Sequence, residues 1–156
     1  MPSPSELIAQ YLAGPGHLRA AVAGMTREQL IARPIPGKWS SLELVAHIAD
    51  FEPVYADRIR RVIALDRPLL LVADENEYVK KLGYHDRDLD EELAMIEATR
   101  KSTARILKSI PADAWQRCGV HGYKGLQTLE QVVTAITNHI PSHLTFLAEK
   151  RKALGV

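Results

Sequence analysis

The chain has 156 residues, 46% of them hydrophobic and 25% charged, which suits one folded domain over 1–156 and is too apolar for a disordered chain. Twenty basic and nineteen acidic residues supply no concentrated positive field, so nucleic acid and anionic membranes are not expected partners. One cysteine, Cys118, excludes an internal disulfide; no basic-then-apolar leader and no apolar run beyond 69–73 is present, so the cytoplasm is the expected location.

Ser3, Pro4 and Glu6 read as a capped helix start. The Gly14-Pro15-Gly16 run predicts a break at 13–16, with a second helical piece over 17–23. Thr26 with Gln29 marks a short helical turn before the Pro34-Ile35-Pro36-Gly37 loop. Ser40 and Glu43 then open a long amphipathic helix over 41–65, carrying Leu44, Ile48, Phe51, Tyr55, Ile59 and Val62 on one face. Pro53 predicts a kink in it. Arg58, Arg60 and Arg61 form the densest basic patch and read as a solvated face. A connector over 66–87 holds a short helix near 75–81, and Asp88 caps a further helix that Pro111 stops. Residues 117–127, with three glycines, read as a loop, and Thr128 with Gln131 caps the last helix. No stretch alternates long enough to predict a sheet, so the expected fold is an all-α four-helix bundle with a short connector helix.

His139 and His143 stand one turn apart in that last helix, on the stripe of Val132, Ile136 and Leu147. Two imidazoles on an apolar face need partners, and at this spacing both can reach one divalent ion such as zinc, nickel, copper or iron. His47, between Leu44 and Phe51, faces inward by the same argument. The alternative for each ring is a hydrogen bond to a backbone carbonyl or buried water. Three histidines with open positions would make a catalytic type of site. Asp50, one turn on, is either an outer acceptor for that site or a solvated acid at its rim.

The run Pro36-Gly37-Lys38-Trp39-Ser40, then His47 with Asp50 and Glu52, then Thr128 to Gln131 leading to His139 and His143, resembles the DinB superfamily, particularly its YfiT-like branch of metal-dependent hydrolases and bacillithiol-type thiol transferases. Gly14-Pro15, Arg58, Arg100 and His121 before Gly125 also fall where related sequences carry such residues. The resemblance implies a four-helix bundle in which His47, His139 and His143 hold one zinc or nickel ion. Pro141 between the last two departs from the family pattern and puts the ring geometry in doubt. A small-molecule substrate, including a low-molecular-weight thiol, and a homodimer are further implications, the dimer also suggested by Val45, Ile63 and Val133 beside the helix stripes.

His121 reads either as an acid, base or extra ligand at the mouth of the site or as a surface histidine, so Asp50 and His121 are the candidate proton carriers. Cys118 lacks a charged neighbourhood that would activate it and reads as a loop thiol. Trp39 reads as a packing plug, His17 and His85 as exposed, and Arg100 as a long stem leaving the core or a pocket residue. Three function classes remain open: a metal-dependent thiol transferase or hydrolase, a non-catalytic metal or small-molecule binding module for stress or detoxification, and a purely structural bundle.

Overall fold

Helix starts fall where side chains can satisfy the free amides of a first turn. In the computed structural model, which describes residues 2–156, Ser3 with Glu6, Thr26 with Gln29, Ser40 with Glu43 and Thr128 with Gln131 each form a reciprocal capping box. They open α1 (Pro4–Val22), α2 (Arg27–Ile31), α3 (Ser41–Ala64) and the last helix, α6 (Leu129–Leu154). Asp74 and Asp88 cap α4 (Glu75–Lys81) and α5 (Leu89–Ser109). Helices α1, α3, α5 and α6 form the bundle: α1 packs on α5 and α6, and α3 packs on the same two, so α1 and α3 lie on one diagonal. No helix of the described residues is long and apolar enough to cross a membrane.

The core has two halves. Leu7, Tyr11, Ile59, Leu107 and Ile136 belong to one, and Leu18, Leu42, Ile48, Ile96 and Ile140 to the other. Between them, in sequence on every bundle helix, lies a polar layer. Arg100, wholly buried, donates from Nε to Glu52 Oε1 at 2.8 Å and from Nη2 to the same carboxylate. Its Nη1 donates to the Tyr11 carbonyl at 2.8 Å and its Nη2 to the Ile136 carbonyl at 2.9 Å. Arg100 therefore neither reaches solvent nor lines the histidine site; it ties all four helices.

This layer explains why the expected break at 13–16 does not occur and α1 is continuous. Pro15 has no amide to offer the carbonyl four residues back, which is that of Tyr11, and Arg100 supplies the missing donor. Gly14 makes room, since a Cβ there would stand 2.4 Å from Arg100 Nη1. Gly→Ala inside a helix ordinarily stabilises by about 1 kcal/mol. Gly14→Ala is instead expected to destabilise by about 1–3 kcal/mol through overpacking, and to recover the ordinary sign when Arg100 is also replaced by Met. Urea unfolding midpoints measure both, and a stabilised single variant would refute the close-approach account.

The 117–127 segment is not a loop. Its residues form β2 (Cys118–His121) and β3 (Gly125–Thr128), an antiparallel pair, and β2 also pairs in parallel with β1 (Leu69–Leu70) from the connector. Arg58 is not solvated: it is 6% exposed and donates to the Leu71 carbonyl, securing the end of β1 to α3. Val45 and Val133 are fully buried and cannot furnish a surface between subunits, while Ile63, half-buried, packs against the core.

Candidate metal centre

The position of His47 is set by the start of α3. Ser40 accepts from the Glu43 amide at 3.1 Å while Glu43 accepts from the Ser40 amide at 2.7 Å. Arg33 Nε donates to Glu43 at 3.0 Å, and His85 Nε2 lies 3.0 Å from Ser40 Oγ. His85 is thus a support for this helix start rather than an idle exposed residue. Two turns along, His47 is fully buried between the rings of Trp39 and Phe51, with centroids at 5.2 and 4.6 Å.

Helix α6 runs unbroken through Pro141, so His139 and His143 keep their one-turn spacing. His139 Nε2 lies 3.0 Å from His47 Nε2 and 3.2 Å from His143 Nε2. The three rings offer one nitrogen each within a 4.8 Å group, and their Nδ1 atoms make no hydrogen bond to protein. Two nitrogens bound to one zinc at about 2.0–2.1 Å stand about 2.9 Å apart at a right angle and about 3.3 Å apart at a tetrahedral angle. Both spacings from His139 fall in that interval, and with the third ring in the same group the donor set fits a single divalent transition ion.

Electrostatics favour the ligand form of each ring. Burial, then the charge His143 would carry, pushes His47 down to about 4. Burial and both neighbouring imidazoles push His139 down to about 2. Burial, then Lys150, lowers His143. All three are therefore neutral at neutral pH, with a lone pair for a metal.

Neither of the two residues expected to carry protons belongs to the converging group, although the charge of Asp50 acts on His47. Asp50 receives both Nη atoms of Arg87, at 2.7 and 2.9 Å, and anchors the connector to α3. His121, on β2, accepts at Nδ1 from the Tyr123 amide at 3.2 Å and lies against Arg58 and Lys124, outside the converging group. Cys118 is half-buried on the same strand, its Sγ 3.5 Å from the Gln116 carbonyl. The acid beside the histidines is Glu75, first residue of α4, whose Oε2 lies 3.8 Å from His47 Nε2. Glu75, Trp39, His143, Phe146 and Lys150 line one cavity of about 290 Å³. Trp39 is thus both packing for His47 and cavity wall.

The sequence profile of the DinB superfamily matches residues 10–147. A protein of Geobacillus thermodenitrificans named "Putative metal-dependent hydrolase" is 28% identical over 152 residues, covering 96% of this chain and 85% of its own. One of the same description from Bacillus licheniformis is 23% identical over 142 residues, covering 90% and 81%. Among solved structures, YfiT from Bacillus subtilis, described as a probable metal-dependent hydrolase with an unusual four-helix bundle topology, superposes with a TM-score of 0.92 at 21% identity, over 99% of this chain and 90% of that one. A mycothiol-dependent maleylpyruvate isomerase matches with a TM-score of 0.73 at 14% identity, over 94% of this chain and 61% of its own. At these identities the structural likenesses establish the four-helix fold.

Proposed function

Because the chain belongs to the DinB superfamily, we propose that it is a metal-dependent enzyme acting on a small molecule, with zinc or nickel held by His47, His139 and His143. The observation that carries this reading is that the converging nitrogens adjoin a cavity which His143 itself lines, an arrangement expected of an open catalytic site and not of a closed structural one. The ion would supply Lewis acidity, making water or a thiol nucleophilic near neutral pH. Neutral histidine ligands would leave its charge undiminished. Glu75 Oε2, half-exposed on the cavity wall beside His47, accepts the proton that the nucleophile gives up; Asp50, with both oxygens taken by Arg87, has the smaller claim to that role.

Hydrolysis is the first reading, supported by the names of the sequence relatives. Transfer of a low-molecular-weight thiol is the second, supported by the shared fold of a thiol-dependent isomerase. Metal-loaded protein assayed on ester and amide panels, and separately with thiol plus an electrophile, distinguishes them. Glu75→Gln is expected to lower kcat by about 10²–10⁴-fold with metal retained, and His143→Ala to abolish turnover. Activity untouched by His143→Ala would refute the metal-centred mechanism. Stoichiometric metal without turnover in any panel would favour a binding module.

A further inference from the structure

Helix α6 carries a cation where its inward stripe continues. Lys150 lies two turns beyond His143 and is only 3% exposed. Its Nζ donates to the Phe146 carbonyl at 3.4 Å, and among the described residues no carboxylate stands within ion-pair distance of it. Two carboxylates act on it from beyond that distance: Glu149, its neighbour in sequence, and Glu43, which is already bonded to Arg33 and lies 3.4 Å from His85. An ammonium has three donors, so most of its hydrogen-bonding capacity is unused. Burying a cation without an anion is costly, and beyond that carbonyl its neighbour is the Phe146 ring, whose centroid lies 5.9 Å from Nζ.

What Lys150 faces is the cavity of about 290 Å³ beside His143. Lys38 lines the same cavity from the exposed loop before α3, Trp39 and Phe146 provide aromatic wall, and of its two carboxylates Glu75 stands toward His47 while Glu149 adjoins Lys150. The cavity therefore combines a buried positive group, aromatic faces and, at His143, the candidate metal. A cavity of this size suits a small ligand with an apolar body and few polar groups.

We propose that this cavity is the substrate pocket, and that Lys150, reinforced by Lys38 at the rim, holds a carboxylate of the substrate while Trp39 and Phe146 flank its apolar body. The reacting end of that substrate is placed by the metal-centred reading of the site, on which this part of the assignment rests; the carboxylate end is independent of it.

The test uses 2-mercapto-3-phenylpropanoate and its carboxamide, which differ only in the charged group. Binding is followed by the Trp39 indole N–H resonance, in metal-loaded and chelator-stripped protein. Wild-type protein is expected to bind the acid about tenfold more tightly than the amide. Lys150→Met should cut the preference to the share of about threefold that Lys38 supplies, without lowering Tm, since it removes a buried charge, and Lys150→Arg should retain the preference. Lys38→Met, at an exposed position where folding is not at stake, should weaken the acid about threefold and leave the amide unchanged. Equal affinities in wild type, or a preference that Lys150→Met leaves at about tenfold, would overturn the proposal; should Lys150→Met fail to fold, an unaltered Lys38→Met would do so. Acid preference that persists with affinities indifferent to metal would uphold the pocket and overturn the metal-centred reading. Metal-dependent thiol binding without acid preference would do the reverse.

Discussion

Arg100→Met is expected to destabilise the protein by about 3–5 kcal/mol, the usual result of removing one member of a buried ion pair, and to lower Tm by about 10 °C or more. The substitution leaves the Glu52 carboxylate without its cation and the carbonyls of Tyr11 and Ile136 without their Nη donors. Burial already raises the pKa of Glu52 against the opposing effect of Arg100. Without Arg100 the opposing effect is gone and the pKa of that carboxyl rises further. A carboxyl whose folded pKa exceeds its unfolded value contributes most below the unfolded value, 4.5, and loses that contribution as pH rises. The deficit of Arg100→Met should therefore shrink from pH 7 to pH 5. Replacing both partners, as Arg100→Met with Glu52→Leu, should cost less than the single change. Chemical unfolding at the two pH values checks each statement; a single variant within 1 kcal/mol of wild type, by about the scatter of surface substitutions, would show that the layer is not what ties the helices.

His139→Ala is expected to reduce bound metal from about one equivalent per chain to a small residue, weakening affinity by at least about 100-fold, since even outer contacts of a ligand are worth about 10–100-fold. His139 is the ring whose Nε2 approaches both of the others, so its removal separates the set, and His47→Ala should act similarly. Metal analysis of protein purified without a chelating tag, followed by reconstitution, measures this. Wild-type protein that neither carries nor takes up zinc or nickel would refute the site. The metal-free form has its own pH signature. His47 titrates near 4 when folded and near 6.5 when unfolded, so the unfolded chain binds more protons between those values. Stability is then whole above about 6.5 and falls as pH drops towards about 4; bound metal should oppose that loss until protons displace it.

The features legible in the sequence are those whose cause is local. Capping boxes lie within four residues, so every long helix start was readable, and an apolar stripe exposes His139 and His143 as intruders upon it. His47 followed by the same reasoning on a different helix. Features created by distant partners were hidden. Nothing near Pro15 announces that a donor 89 residues from Tyr11 completes its helix, and strands of two and four residues are too short for an alternation to register. Asp50 drew attention by sequence proximity to His47, yet its oxygens are turned to Arg87, while Glu75 reaches His47 only through the path of the connector. Lys150 did carry a signal: it repeats the position of His143 after seven residues, on the stripe already drawn.

The bonding of one guanidinium to four helices bears on how the protein comes apart. Tyr11 has no intrahelical donor because of Pro15, and Arg100 occupies that vacancy only while α1, α3, α5 and α6 are together. Fraying α1 alone would leave Arg100 Nη1 without its acceptor beside the intact Glu52 ion pair, so partial opening of this helix is disfavoured relative to opening of the whole bundle. The amides flanking the layer should exchange with deuterium as one cooperative unit across all four helices, with no separable α1 subset. A protein built this way keeps the scaffold of its histidines rigid by making every local excursion a global one.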